Sequence, residues 1–217
     1  MPRILAIDTA TRIGSVAWAT PEGVQTRALS GARDHGRTLA RLVSELVGDA
    51  LGSVDAFAIS IGPGSFTGLR VGLAFLKGVA LVYDRPVIAV STLEALAHQA
   101  GGGAVLAVLD ARGGEVFAGL FGVDPSPVPE GVYSIQALAA ARLPPDCQLT
   151  GEPPAELLLA LPALRTAQSA EVAASVAVLA STRLAEGVPA LTLRPSYGQP
   201  ARVDRHESGV DTLKPPP

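Results

Sequence analysis

The first half of the chain switches between short apolar runs and longer segments with a helical period. The apolar runs predict buried strands, at residues 4–8, 57–61 and 87–90. The periodic segments predict helices, at residues 36–51, 67–82 and 92–99. Asp34 fits the N-cap of the first helix. Strands that alternate with helices in this way predict a parallel sheet with right-handed crossovers.

The helix predicted at residues 67–82 is apolar on almost every side. At about 100° per residue, its two charges, Arg70 and Lys77, share one narrow stripe with Ala74 and Leu81. A helix of this kind must be covered on nearly every side, either by a large domain core or by a core on one face and a partner chain on the other. The chain is short for the first option, so the pattern favours a partner.

Two segments look like distant copies of each other, residues 4–17 and 105–118. Each consists of an apolar strand, an Asp at its end, a short polar turn and a second strand that runs back. Their separation is too long for a solenoid repeat, and it predicts two similar lobes that each open with a hairpin. The run Gly101–Gly103 is the expected hinge.

We therefore divide the chain into an N-terminal lobe, residues 1–103, and a C-terminal lobe, residues 104–169. The second lobe has weaker patterns, which predict a hairpin at 105–121, a helix at 134–142 and a strand at 148–150. A helix at residues 170–186 is expected to return to the first lobe. Residues 203–217 mix charge, Gly and Pro with almost nothing apolar, so we expect a flexible tail that is disordered or ordered by a partner.

Composition narrows the classes of function. Hydrophobic residues make up 48% of the chain and charged residues 17%, against roughly 25% charged residues in an average soluble protein, so apolar surface is expected for a neighbour. The net charge of −3, without a Lys/Arg cluster, argues against a chain that grips nucleic acid by itself. The single Cys147 excludes a disulfide framework. Without a secretory signal or ~18 uninterrupted apolar residues, we expect a cytoplasmic protein with no membrane contact.

The glycine-rich turn at residues 62–68 places backbone N–H groups at a helix N-terminus, where anions are attracted. The turn lacks the Gly-Lys-Ser/Thr of a P-loop, and its glycine spacing is not the dinucleotide fingerprint. Two interpretations stay open. Either a phosphate sits at this turn, or the glycines serve a tight bend and close helix packing.

Two aspartates lie at strand ends, where phosphate-transfer folds often hold a metal-bound nucleotide. Asp8 with Thr9 follows the first strand and Asp110 the equivalent strand of the second lobe, and together with Gly62 and Gly64 they form a candidate weak site for ATP or ADP. No glycine follows Asp8 to let the backbone approach a phosphate. Structural caps of the two turns are therefore an equally good interpretation.

The residues do not form a complete metal site or hydrolase site. His35 lies where the first helix begins, but a second ligand on the same face would fall at Thr38 or Leu39. Ser65 is not at the centre of a G-x-S-x-G elbow. We expect no metal and no cofactor beyond weak ATP or ADP binding.

Five blocks together closely resemble the TsaB family, also called YeaZ: residues 4–11, the helix start at His35, and residues 62–72, 91–96 and 110–117. They occur in the family's order within residues 1–122. The resemblance implies an α/β, two-lobed actin-like, Hsp70-like or sugar-kinase fold (ASKHA, ribonuclease H-like), in which each lobe is a mixed sheet with helices. That expectation agrees with the internal repeat.

The resemblance also implies a catalytically silent subunit. Family members are partners of TsaD, which carries a metal and transfers a threonylcarbamoyl group from threonylcarbamoyl-AMP to N6 of the tRNA adenosine 3′ of the anticodon. A TsaE-type ATPase joins the larger complex, tRNA is contacted only through the complex, and a homodimer is expected when TsaD is absent. TsaD-like chains hold metal through two histidines four apart on the helix that corresponds to residues 36–51. Here Leu39 stands where the second would fall.

In this family the first two helices pack against their equivalents in TsaD. The residues expected at that interface are Thr38, Leu42, Arg70, Leu73, Ala74, Lys77 and Leu81. Small residues on the second helix, among them Ala74 and Gly78, would let a partner helix approach closely, and Arg70 and Lys77 could pair with acidic groups at the rim. The other interpretation is that this helix is enclosed between its own sheet and the second lobe.

Two other classes of function stay open beside the scaffold. One is a nucleotide-dependent phosphotransferase or ATPase of the sugar-kinase superfamily that uses Asp8, Asp110 and the turn at Gly62. The other is a metallopeptidase-like hydrolase, which kinship to TsaD alone suggests. Micromolar binding of magnesium ATP would favour the first, and stoichiometric metal in the purified protein would favour the second.

Overall fold

The computed structural model contains two mixed β-sheets of five strands each. It describes residues 1–29, 35–167 and 171–197, without the side chains of residues 35–37. The predicted N-cap Asp34 and the predicted flexible tail, residues 203–217, lie outside the described residues.

The first sheet contains the first five strands, β1 (Ile4–Asp8), β2 (Ser15–Thr20), β3 (Gly23–Ala28), β4 (Ala56–Ser60) and β5 (Val87–Val90). Three helices accompany it, α1 (His35–Val47), α2 (Phe66–Tyr83) and α3 (Thr92–Gln99). The strand order is β3-β2-β1-β4-β5. Strands β1, β2 and β3 pair antiparallel, and β1, β4 and β5 pair parallel. A 3₁₀ turn, Gly48–Ser53, replaces the last residues of the predicted first helix.

The second sheet contains the remaining strands, β6 (Val105–Arg112), β7 (Glu115–Phe121), β8 (Gly131–Ser134), β9 (Gln148–Glu152) and β10 (Arg165–Thr166). Two short helices lie between its strands, α4 (Ile135–Ala139) and α5 (Ala155–Ala160), and α6 (Ala173–Ser181) follows it. The sequence patterns did not indicate β3, β8, β10 or α5. The helices predicted at 134–142 and 170–186 are longer than the observed α4 and α6.

The two sheets share one topology. Read from β8, the second sheet has the order β8-β7-β6-β9-β10, which repeats β3-β2-β1-β4-β5 strand for strand. The antiparallel and parallel pairings repeat as well. The predicted pair of similar lobes, each opening with a hairpin, is therefore confirmed, and with it the two-lobed ASKHA-like fold class.

Helices α3 and α6 form the layer between the sheets. One core cluster joins both helices to β1, β2, β4 and β5 on one side and to β6 on the other. Small side chains dominate where α6 meets the first sheet: Ala6, Ala17, Ala58, Ala173 and Ala177 are all fully buried. Because most side chains at this contact are short, the helix can lie close to the strands. The helix expected to return to the first lobe thus packs against β1 and β2.

Helix α2 packs one side against the first sheet and leaves the other side open. By length and composition alone α2 could cross a membrane, since its 18 residues have a mean hydropathy of 1.4. In this structure 33% of these residues are buried. Apolar core helices of globular proteins have the same composition. In this fold the inner side of α2 contacts β1, β4 and α1.

The start of α2 lies against the turn that follows β1. An ideal Cβ at Gly68 would be 1.9 Å from the Thr9 carbonyl oxygen, and one at Gly72 would be 2.2 Å from the Thr9 hydroxyl oxygen. These distances are far below van der Waals contact. The glycines therefore permit a backbone approach that any side chain would block.

We predict that Gly68→Ala lowers the free energy of unfolding by about 3 kcal/mol, at the upper end of the cost of overpacking, because a backbone oxygen cannot rotate away. Gly78→Ala, on the same helix, is the matched control: no described atom lies within 4 Å of its ideal Cβ. Alanine's helix propensity should make that variant up to about 1 kcal/mol more stable. Equal effects in urea denaturation would contradict this packing.

Candidate functional site

Asp8, at the end of β1, is fully buried and its carboxylate is enclosed by protein donors. One oxygen, Oδ1, accepts from the Ala10 backbone N–H at 3.1 Å and from the Ser60 hydroxyl. The other, Oδ2, accepts from the Thr11 hydroxyl. Burial raises the pKa of the Asp8 carboxyl above its ordinary value of 3.8, and the hydrogen bonds from Ser60, Thr11 and Ala10 offset this in part. Asp8 serves as an internal acceptor of the turn.

The same turn is hydrogen-bonded to the start of α2, the candidate position for a phosphate. The Ser65 backbone N–H donates to the Ala10 carbonyl at 2.8 Å, and the Thr9 hydroxyl donates to the Gly68 carbonyl at 2.7 Å. The Gly68 N–H donates to the Ser65 hydroxyl of the N-cap at 3.2 Å. The Ser65 and Gly68 backbone donors at this helix end are thus bonded within the chain. The structure favours the tight turn and close packing over the phosphate site.

The predicted nucleotide glycines have backbone neighbours as well. An ideal Cβ at Gly62 would lie 2.0 Å from the Ser196 carbonyl oxygen, and one at Gly64 would lie 2.4 Å from the Ala10 carbonyl oxygen. Carbonyl oxygens repel phosphate oxygens. The close approach at these two positions is therefore made by protein backbone.

Asp110 lies apart from this group, in a cleft between the lobes. The cleft has a volume of about 590 Å³, and its walls include Arg12, Glu152 and Leu158. Asp110 Oδ1 accepts from the Arg112 N–H at 2.7 Å, the same bond to the residue two positions ahead that Asp8 makes with Ala10. Among the five predicted nucleotide residues, Asp110 alone lines the cleft. The shared turn geometry supports the interpretation of both aspartates as turn caps.

The outer face of α2 is an exposed apolar surface. We use this name for the residues that α2 turns away from the first sheet, namely Phe66, Arg70, Ala74, Gly78, Leu81 and Val82. Phe66 is 50% exposed, Leu81 56% and Val82 76%. The face thus carries large apolar side chains at both ends and small residues, Ala74 and Gly78, in the middle.

The predicted interface residues divide between this face and the core. Arg70, Ala74 and Leu81 are exposed, and Thr38 and Lys77 are half-buried. Leu42 and Leu73 are 6% and 7% exposed and lie in one core cluster of the first lobe, together with Leu39.

Leu42 and Leu73 therefore offer little free surface for a partner, because the facing sides of α1 and α2 use these leucines to pack on each other and on the sheet. Leu39, where a metal-binding histidine of TsaD-like chains would stand, is fully buried. Among the described residues no group of three or more His, Cys, Asp or Glu side chains comes together.

A C-terminal segment that the sequence patterns did not assign runs alongside α2. We call residues 188–197 the C-terminal strap. Val188 pairs with Val87, Leu193 lies in the core of the first lobe, and the Ser196 N–H donates to the Ile61 carbonyl at 2.7 Å. The Lys77 ammonium donates to the Leu193 carbonyl at 2.9 Å. The recurrence of apolar residues in this stretch was the one signal that could have predicted its packing.

Three side chains join the strap to the start of α2. The Arg70 guanidinium carbon lies 3.8 Å from the Phe66 ring centroid, in cation–π geometry, and Arg70 Nε donates to the Tyr197 hydroxyl at 3.3 Å. The Phe66 and Tyr197 ring centroids are 4.9 Å apart. Aromatic and Arg side chains are enriched among residues that dominate protein interfaces. This cluster therefore joins the strap to one end of the outer face.

Comparisons with known proteins agree on one family. The family model described as "TsaD: tRNA N6-adenosine threonylcarbamoyltransferase" matches residues 26–149. The Escherichia coli "tRNA threonylcarbamoyladenosine biosynthesis protein TsaB" is 41% identical over 122 residues, which are 53% of this chain and 53% of that protein. The chain thus spans about half the length of the curated relatives it matches.

Two solved structures from Pseudomonas aeruginosa are similar over nearly the whole chain. One, described as similar to the peptidase YeaZ, is 30% identical with a TM-score of 0.76 and covers 92% of this chain and 100% of its own. The other, YeaZ, is 28% identical with a TM-score of 0.70 and covers 91% of this chain and 100% of its own. These matches extend the likeness beyond residues 1–122 to the second lobe.

Asp8→Asn should remove a component of the pH dependence of stability. As pH rises above about 3.8, the unfolded chain releases this proton before the folded chain does, so the wild type loses free energy of unfolding, at most about 1.4 kcal/mol per pH unit. Asn does not titrate. Urea denaturation between about pH 4 and about pH 7 should therefore show the wild-type-minus-variant difference falling as pH rises. A difference that grows would contradict a raised pKa; Asp110→Asn is the exposed control.

Proposed function

Because the chain belongs to the TsaB (YeaZ) family, whose named members take part in tRNA threonylcarbamoyladenosine biosynthesis, we propose that it is the non-catalytic scaffold subunit that binds and organises TsaD during this modification. In this role it docks through the outer face of α2. TsaD transfers the threonylcarbamoyl group from threonylcarbamoyl-AMP to N6 of the tRNA adenosine 3′ of the anticodon. The observation that carries the proposal is the exposed apolar face of α2.

The shape of the outer face suits a partner helix. Ala74 and Gly78, in its middle, have no long side chains, so a facing helix can approach to the short end of the usual 8–10 Å spacing. Phe66 at one end and Leu81 and Val82 at the other would then flank that helix. Exposed apolar side chains in one row along a helix mark interaction sites more often than isolated surface residues do.

The burial of Asp8 supports a silent subunit. A phosphotransferase of this fold needs its first-lobe carboxylate in the cleft between the lobes, where the nucleotide and metal would bind. Asp8 does not line that cleft, and its two oxygens accept bonds from Ala10, Ser60 and Thr11. For the phosphotransferase or ATPase alternative, Asp110 therefore lines the cleft, but the equivalent carboxylate of the first lobe, Asp8, does not.

The proposed setting follows from charge and surface. With a net charge of −3, the chain is suited to meet tRNA through the complex and not by itself. We place it in the cytoplasm, with TsaD as the direct partner and a TsaE-type ATPase in the larger assembly. When TsaD is absent, the outer face of α2 would pair with a second copy, since apolar faces of this kind are self-complementary about a two-fold axis.

Ala74→Glu tests the proposal because Ala74 is exposed in the free chain and central in the proposed interface. Glutamate is a good helix former, so the fold should survive. A charge buried without a partner costs about 2–4 kcal/mol, so TsaD binding should weaken about 30- to 1000-fold. The measurement is calorimetric titration with TsaD of the same organism, followed by threonylcarbamoylation of tRNA by the reconstituted proteins.

The matched control is Leu159→Glu, an equally drastic change at a residue of α5 that is 82% exposed and outside the proposed interface. It should leave TsaD affinity within about twofold. Binding by Ala74→Glu as tight as that of the wild type would reject the outer face of α2. No binding of TsaD by the wild type would reject the scaffold role itself.

A further inference from the structure

We propose that Lys77 and Arg194 together form a receptor for a carboxylate on the partner's docking helix, so that the C-terminal strap is part of the interface. The inference rests on the proposed function and adds to it a second, charged element beside the apolar face. It also predicts the chemistry of the partner: an acidic side chain next to the helix that packs on Ala74.

The two cations converge on one oxygen. Lys77 Nζ and Arg194 Nη1 each donate to the Leu193 carbonyl oxygen at 2.9 Å, so the two nitrogens are at most twice that distance apart. Arg194 Nη1 also donates to the Leu191 carbonyl at 2.9 Å, which holds the guanidinium against the strap. Hydrogen bonds to strap carbonyls therefore hold both cations in place, Lys77 from α2 and Arg194 from the strap itself.

Neither cation has a carboxylate to neutralise it within the part of the chain that the structure describes. The ion pairs found there, Arg41–Glu45 and Arg183–Glu94, lie elsewhere on the first lobe and its attached helices. Two positive groups that share a neutral carbonyl repel each other, and a carbonyl carries only part of the charge of a carboxylate. A carboxylate placed over both would gain two charge-assisted hydrogen bonds and relieve that repulsion.

The surroundings favour a protein ligand over a nucleic acid. The receptor borders Ala74 and Leu81 on α2, and Leu191 of the strap is 61% exposed beside it. Arg70, the next cation along α2, is stacked on Phe66 and bonded to Tyr197. Three cations next to apolar side chains match the polar rim of a protein interface, whereas a phosphate backbone needs a longer basic track.

The strap thereby gains a role in orientation. Apolar contact along the outer face of α2 would allow a partner helix to slide or reverse, because such contact has little direction. A carboxylate bound to Lys77 and Arg194 would fix the register of that helix at one point. The sequence element responsible, Leu193–Arg194, follows the second lobe in the chain and yet acts on the surface of the first.

The test measures TsaD affinity of the full chain at low and high salt. In the double variant Lys77→Gln with Arg194→Gln, each position keeps an N–H donor for the Leu193 carbonyl and loses its charge. We expect about 10- to 100-fold weaker binding at low salt, and a difference that shrinks severalfold at high salt because screening acts on the wild type alone. The single variant Arg194→Lys, which keeps both positive charges, should retain most of the wild-type affinity for TsaD.

Arg142→Gln, which removes an exposed cation from the second lobe, is the control and should bind as the wild type does. Unchanged melting temperatures would show that the variants fold. If the double variant binds TsaD normally while Ala74→Glu does not, the carboxylate receptor is refuted and the docking face stands. If the wild type does not bind TsaD, both proposals fail.

Other occupants of the receptor give distinct results, and each would overturn the inference. A phosphate ligand predicts that the double variant loses tRNA binding by the isolated chain, with TsaD affinity unchanged. A second copy predicts that the variant loses only self-association in sedimentation. An acidic group from residues 198–217 predicts that neutralising Asp204, Glu207 and Asp211 in the full chain tightens TsaD binding.

Discussion

The contact between the turn after β1 and the start of α2 is the constraint on which the first lobe depends. Thr9 and Ala10 supply the carbonyl and hydroxyl groups that bond to Ser65 and Gly68, and glycines on α2 leave room for them. This contact leaves the Ser65 and Gly68 backbone N–H groups bonded within the chain. It also fixes the rotation of α2, so that Leu69 and Leu76 face the core and Ala74 faces outward. The tight turn at the start of α2 and the exposed outer face are thus two results of one packing arrangement.

The duplicated topology makes this arrangement easier to interpret. Asp8 and Asp110 occupy equivalent strand ends and make the same bond to the backbone two residues ahead. Both turns border the cleft, the first through Thr11, Arg12 and Ile13, but the aspartates differ: Asp110 lines the cleft, whereas Asp8 is fully buried. The two copies of one supersecondary unit have therefore placed their aspartates differently, one in the interior of the first lobe and one in the wall of the cleft. Binding through a helix face does not involve the cleft, which agrees with a subunit that acts through its partner.

Sequence periodicity predicted the elements that have long, regular patterns and missed those without them. The hairpins at Asp8 and Asp110, α2 and α3 were predictable because burial on one face repeats over many residues. The edge strands β8 and β10 and the short helix α5 have too few residues for a period to appear. Periodicity also defines faces without saying which neighbour covers them, so Leu42 and Leu73 were assigned to a partner although they pack on each other's helices. The strap was missed because its partners lie more than 100 positions away in the chain.

Amide hydrogen exchange of the chain, alone and bound to TsaD of the same organism, is the most direct test of the central claim that the lobe presents α2 for binding. The account predicts slower exchange in residues 66–83 and 188–197, with the cleft segment at residues 151–158 unchanged. Slower exchange confined to the cleft, with α2 and the strap unaffected, would contradict it.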